Sequence, residues 1–281
     1  MNVQTRAELA LLSITVIWGS TFTITKVLLE GIEPFLYVAL RFTLASLLFA
    51  LVFRKKLTVS EVLSSRRGWI LGLLLFLGFS LQTLGLQFTT ASKSAFITGL
   101  MVIMTPILQV IIERRPPKLG NVIGIVLVTI GLYLLTSPEG SEFNIGDLLT
   151  LGCAISFALY IVYLDIFSKG VRPEGITLTQ FLFCGVVGSI TALAIEPLNL
   201  QLTDGIVLAI LYLTIFATIV AIYVQTRFQK HTTPTRAAVI FAAEPVFAAI
   251  IAYFALNEVI GTVGLLGGGL IVAGVLVSEL S

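Results

Sequence analysis

The residues best placed to do chemistry are a few ionisable side chains set in apolar surroundings. Glu244 stands in AAVIFAAEPVFAA, with apolar neighbours on both sides. A carboxyl that cannot reach an aqueous interface is suited to carry a proton or to face a substrate amine. Pro245 follows it, removes a backbone N–H, and so bends the helix and frees a carbonyl at nearly the same depth. The structural alternatives are an ion pair with Arg41 or Lys26, or a protonated carboxyl that donates to a backbone carbonyl. A charge at the centre of a bilayer costs about 2.5 to 3.5 kcal/mol on insertion scales, so each one needs a partner, a wet cavity or a route to the surface. Lys26 closes the polar stretch WGSTFTITK; it either snorkels to the headgroups, faces a cavity or pairs with a carboxylate. Arg41 lies deeper, leaving a structural ion pair, contact with free helix carbonyls, or contact with substrate. Asp165 and Glu113 approach the ends of their apolar runs and read as solvated caps.

Uncharged polar residues fall at helical spacing around these charges. Trp18, Thr21 and Thr25 share one helix face. Gln82, Thr83, Thr98, Met101, Thr105, Tyr160, Tyr212, Thr218 and Tyr223 are further candidates for the wall of a path. The competing reading is that such hydroxyls bond their own or a neighbouring helix. An aromatic and hydroxyl lining suits an amphipathic organic solute better than a phosphate or sugar nucleotide, which needs more basic groups than Lys26 and Arg41. Enzymatic chemistry has little to stand on: there is no HExxH, no GxSxG and no pair of intramembrane aspartates, and the lone His231 lies between apolar runs. Cys153 and Cys184 sit inside apolar runs and support neither a disulfide nor a metal site. LLGGGL at Leu265 lacks the Gly-Lys-[Ser/Thr] of a phosphate loop. No cofactor and no nucleic acid is expected.

The elements that must position these groups are transmembrane helices. The chain has 281 residues, 57% hydrophobic and 11% charged, with mean hydropathy +1.04; soluble domains carry about 25% charged residues. Windows of about 20 residues, enough to cross roughly 30 Å of hydrocarbon, find ten spans near 9–29, 34–53, 69–88, 92–112, 119–136, 146–167, 176–195, 205–225, 235–256 and 260–278. Runs such as GWILGLLLFLGF do not alternate as barrel strands do. A cleaved leader ahead of a polar mature chain does not fit, because apolar runs recur to Leu280. Arg54, Lys55, Lys56, Arg66, Arg67, Arg114, Arg115, Lys118, Lys169, Arg172, Arg227, Lys230 and Arg236 fall on one side. Glu30, Glu33, Glu139, Glu142, Asp147, Glu196, Asp204 and Glu258 fall on the other, with Lys93 the one base among them. Short cytoplasmic loops hold the excess of Lys and Arg, which puts both termini in the cytoplasm. Trp69, Tyr37 and Tyr133 fit interfacial belts.

The spans fall into two halves, 5–137 and 144–280. AELALLSITVIWGSTF from Ala7 aligns with GDLLTLGCAISFALYI from Gly146 at an offset of 139 residues, matching Glu8 with Asp147, Trp18 with Phe157 and Thr21 with Tyr160. Pro106 and Pro245, the expected helix kinks, repeat at that offset. Gly124 with Gly131 answers Gly267 with Gly274. Gly120 with Gly124, Gly264 with Gly268, and the series Gly72, Gly78 and Gly85 read as close helix contacts. Five spans per half force the second copy to enter from the other face, an inverted-topology repeat. Two such halves in unequal conformations can exchange and expose one central site to either face in turn, which is the architecture of a carrier. The fold class is therefore an all-α membrane protein of ten helices in two inverted five-helix repeats. Its expected partners are a small-molecule solute and the lipid bilayer, with the chain a monomer or homodimer.

WGSTF at Trp18, the Arg-Phe pair at Arg41, TTASKSAFITGLMVIMTP from Thr89 and RAAVIFAAEPVFAAIIAYFALNEV from Arg236 together carry a family likeness. Their order, spacing and duplication resemble the drug/metabolite transporter superfamily, specifically its EamA-like ten-helix carriers. The resemblance covers nearly the whole chain. It implies a multi-pass exporter of the bacterial cytoplasmic (inner) membrane, working on small metabolites, amino acids and amphipathic drugs among them. It also implies a central cavity lined largely by spans one, three, four, six, eight and nine. The halves are chemically unequal: span six has Phe-Ala where span one has Trp-Gly, and Thr105 stands where the second half has Glu244. Proton coupling through Glu244, facilitated movement and exchange all remain open. A flippase for lipids or lipid-linked headgroups would use the same inverted repeats with a cavity opening sideways.

Overall fold

The computed structural model describes residues 2–136, 143–197, 200, 203–256 and 261–280. Glu139, Glu142 and Glu258, counted among the acidic loop residues, lie outside the described residues. Among the described residues, ten helical segments are long and apolar enough to cross a membrane, and that even number of crossings returns the last helix to the face where the first begins. Large apolar side chains such as Leu47, Ile111, Leu208 and Leu266 cover the outside, the reverse of a soluble protein and the arrangement that lipid requires.

Five of the spans are single helices: α3 (Pro34–Phe53), α5 (Arg66–Phe88), α8 (Leu119–Thr136), α9 (Ile145–Ser168) and α10 (Pro173–Ile195). The last span, α15 (Thr262–Glu279), is also continuous. Four spans are interrupted. Span one is α1 (Val3–Gly19) and α2 (Thr21–Leu28), span four is α6 (Ala91–Gly99) and α7 (Met101–Glu113), and span nine is α13 (Pro234–Phe241) and α14 (Glu244–Leu256). Span eight is α11 (Asp204–Thr214), one turn of π-helix over Ile215–Val220, and α12 (Ala221–Phe228). A short helix, α4 (Val59–Leu63), lies in the loop between spans two and three.

The predicted kinks divide differently. Pro245 is the second residue of α14, where its missing N–H is tolerated, and the helix breaks just before it at Ala242 and Ala243. Pro106 sits inside α7, and the interruption of span four comes earlier, at Leu100. Helix starts are capped where the chain supplies the groups: Thr90, Thr203 and Thr233 accept from backbone N–H groups three residues on. Asn144 forms a reciprocal capping box with Asp147.

The two halves meet along paired helices. Spans five and ten pack backbone to backbone: a Cβ on Gly131 would lie 2.6 Å from the Gly267 carbonyl oxygen, and one on Gly274 would lie 2.7 Å from that of Gly124. Gly268, expected together with Gly264 to mark a close helix contact, has nothing within 4 Å of where its Cβ would lie. Spans two and seven meet where Gly188 faces Ala39, and the Glu196 carboxylate of span seven accepts the Phe35 and Leu36 N–H groups at the start of α3, each at 2.8 Å. That contact places a negative charge at a helix N-terminus. These seams leave spans one, three, four, six, eight and nine around a common centre, which Arg41 of span two also reaches.

Candidate functional site

One cavity lies between the halves, and its wall contains eight of the nine proposed path residues: Trp18, Thr21, Thr25, Arg41, Gln82, Thr98, Tyr160 and Glu244. The helix interruptions explain why. Thr21, Met101 and Glu244, the first residues of α2, α7 and α14, all line it. Each break thus turns a fresh helix N-terminus toward the void, a device of membrane helices at binding sites. Glu244 is therefore the opening residue of a half-helix, where the partial positive charge of the helix end favours a carboxyl. Among the described residues no cation pairs with it, and neither Arg41 nor Lys26 is its partner. Pro245 has no N–H to give to the Phe241 carbonyl, as expected from the sequence.

Arg41 is 3% exposed and held on three sides. It donates through Nη1 to the Tyr37 hydroxyl at 2.8 Å, through Nε to Thr218 Oγ1, and through Nη2 to the Ala217 carbonyl at 3.3 Å. Its guanidinium also stands 4.6 Å from the centre of the Phe79 ring, within cation–π range. The π-turn makes this possible. The Ala221 N–H bonds Phe216 and Thr218 carbonyls and passes over Ala217, whose carbonyl takes Arg41 and also the Trp18 indole N–H at 3.1 Å. Single π-turns of this kind recur at functional sites. Tyr37, read as an interfacial aromatic, is instead fully buried as a partner of Arg41.

Trp18 stacks edge-on against Phe241 at 5.2 Å between ring centres. Tyr160 donates to Gln180 Oε1 at 2.7 Å, and Gln82 donates to Thr98 at 3.4 Å. The Thr21 hydroxyl donates to the Trp18 carbonyl across the α1–α2 break at 2.8 Å, a local backbone bond that competes with a substrate role. The void is narrow, about 70 Å³, room for a few waters where one needs roughly 10–15 Å³.

Several sequence candidates fall elsewhere. The Lys26 ammonium donates to the Leu86 and Thr89 carbonyls, so it caps the end of α5 and stays out of the wall. Thr105 bonds the Met101 carbonyl of its own helix, Tyr212 bonds Ser20, and Tyr223 donates to Glu174. Thr218 positions Arg41 from behind. Asp165 is buried and joined to Lys169 at 2.6 Å. Lining residues that the sequence did not single out as path candidates include Phe79, Phe157, Phe241 and Gln225. A second, wider hollow of about 490 Å³ opens on the face where the chain begins, bordered by Gln109, Glu113, Lys118, Asp165, Lys230 and Arg236.

Comparison with known proteins agrees with this architecture. A family described as "EamA-like transporter family" matches residues 5–137 and again 144–280. An uncharacterized transporter of Archaeoglobus fulgidus is 32% identical over 98% of this chain and 86% of its own length. The uncharacterized transporter YyaM of Bacillus subtilis is 27% identical over 96% of this chain and 92% of its own. A crystal structure superposes with a TM-score of 0.85 at 19% identity, covering 98% of this chain and 97% of that one; at that identity it speaks for the fold alone.

Proposed function

The chain belongs to the EamA-like transporter family, and from that premise we propose that it is a secondary transporter exporting small amphipathic metabolites by alternating access. The solute class that fits best carries both an amine and a carboxylate, as amino acids do. The observation that carries this reading is the pairing of chemistries in one wall: Arg41 and Glu244 border the same cavity with Trp18, Phe79 and Phe241. A guanidinium has five N–H donors, and three of those on Arg41 are engaged. Two remain for a carboxylate, while Glu244 receives an amine or, between turnovers, a proton. Aromatic faces take the apolar body of the solute. The two repeats, 5–137 and 144–280, are the units that exchange conformation, and the membrane is the bacterial cytoplasmic one. The work consists of binding and rearrangement, with no bond made or broken.

The test is flux in proteoliposomes, using labelled amino acids and amphipathic amines beside a fluorescent-lipid scrambling assay. Solute movement that saturates with concentration is expected. Lipid movement without solute movement would replace this reading with a flippase.

A further inference from the structure

The entry turns of spans four and nine carry the same short pattern: Thr89, Thr90 and Lys93 in TTASK, Thr232, Thr233 and Arg236 in TTPTR. In both, the second threonine caps its helix by accepting the N–H of the base, Lys93 onto Thr90 and Arg236 onto Thr233, each at 3.2 Å. In both, the first threonine and the base grip one carboxylate from the other half. Thr89 donates to Asp147 Oδ1 at 2.8 Å while Lys93 Nζ stands 2.6 Å from Asp147 Oδ2. Thr232 donates to Glu8 Oε1 at 3.0 Å while Arg236 Nη1 stands 3.2 Å from the same oxygen. Glu8 and Asp147 are themselves the acids that the repeat aligns at the starts of spans one and six.

These two clasps sit on opposite faces of the membrane. Spans one and nine both begin on the N-terminal face, after an even number of crossings; spans four and six both begin on the other. Each clasp joins one repeat to the other, one next to the cavity wall and one at the hollow on the N-terminal face. Thr89 follows one turn after the lining residue Leu86, and Thr232 and Arg236 border the wide hollow on the N-terminal face. Little water reaches either pair: side-chain exposure is 15% for Lys93, 0% for Asp147, 9% for Arg236 and 11% for Glu8. Buried pairs of this kind are costly to break by removing one partner, and both are formed here.

We infer that the Glu8–Arg236–Thr232 and Asp147–Lys93–Thr89 clasps are the two gates of the carrier, each closing the cavity to its own face. Opening toward the N-terminal face requires the first to part while the second holds, and the reverse conformation exchanges them. The inference rests on the alternating-access reading and adds the residues that decide which face is open.

The experiment needs no transported solute, so it is independent of the flux assay: absent flux with sided labelling faults the solute class and leaves the gates standing. Cys153 and Cys184, both buried, are replaced by alanine, and Thr21→Cys reports from the cavity wall. A membrane-impermeant maleimide is applied to either side of sealed vesicles of known orientation. Glu8→Gln is expected to raise labelling from the N-terminal side about fivefold or more without raising it from the other side, and Asp147→Asn to do the opposite. Exchanging the charges, Glu8→Arg with Arg236→Glu, should return labelling toward the parent. If either single variant fails to fold, a disulfide between Thr89→Cys and Asp147→Cys is the second arm: oxidation should abolish labelling from the face opposite the N-terminus and spare the other. Labelling raised equally from both sides, raised from the wrong side, or unmoved in folded variants and in the oxidised pair overturns the assignment.

Discussion

Arg41 and Glu244 border one cavity, yet among the described residues no ion pair joins them. Arg41 is restrained by Tyr37, Thr218 and Ala217, and Glu244 by its place at the head of α14. Under the proposed function, these two ionisable groups, unpaired with each other in one cavity wall, are the ends that a solute bridges. Had they paired, the same residues would be structural.

The support behind Arg41 is testable first. Arg41→Lys keeps the charge and loses the fork geometry. The charged hydrogen bonds to Thr218 and Ala217 are then lost, at about 1.5–3 kcal/mol each, although the Ala217 carbonyl keeps the Trp18 indole N–H. The apparent melting temperature in detergent should fall by several degrees. Thr218→Val should fall in the same direction by less, since Tyr37 and Ala217 still hold the guanidinium.

Lys26 should behave as a structural residue. Lys26→Gln removes the charge that caps the end of α5 and should lower the melting temperature. The concentration of solute giving half-maximal flux should stay the same. A large change in that concentration at constant stability would put Lys26 back on the path.

The seam between spans five and ten predicts a sharp positional contrast. Gly131→Ala sets a methyl 2.6 Å from a backbone oxygen and should cost about 1–3 kcal/mol through overpacking. Gly268→Ala and Gly269→Ala, with nothing within 4 Å, should be neutral or slightly stabilising, because alanine is the better helix former. Thermal melts of the three variants side by side decide it.

Outside the membrane, Glu61 and Arg172 form an exposed ion pair. The Arg172 hydrogen bond holds the Glu61 carboxyl below its ordinary 4.5. A depressed folded value means the contribution is present above the unfolded value and is lost as pH falls through the folded one. The difference in melting temperature between the parent and Glu61→Gln should therefore be small at pH 7 and vanish as the pH drops below about 4.5.

Much of this was written in the chain. Apolar run length gave all ten spans, and the offset of 139 residues gave the repeats. Helical spacing placed Trp18, Thr21 and Thr25 on a shared wall. The interruptions were harder, because a run of apolar residues has the same hydropathy whether or not its hydrogen-bond ladder is intact. Signals were present: Gly19 and Gly99 directly precede two breaks, and Pro245 follows the third. The π-turn at Ile215–Val220 left no such mark in IFATIV, and with it the anchoring of Arg41 was hidden. Arg236 read as a loop charge because its partner, Glu8, lies 228 residues away. Only the fold brings an entry turn of the second half onto the first helix of the chain.

The most direct test of the central claim is Glu244→Gln in proteoliposomes under an imposed pH gradient, with the amino acid or amine that the parent protein moves. Glutamine keeps the size and loses both the proton and the charge. The variant should insert and purify like the parent while its pH-driven flux falls to the level of empty liposomes. Flux equal to the parent across the same gradient would contradict the account.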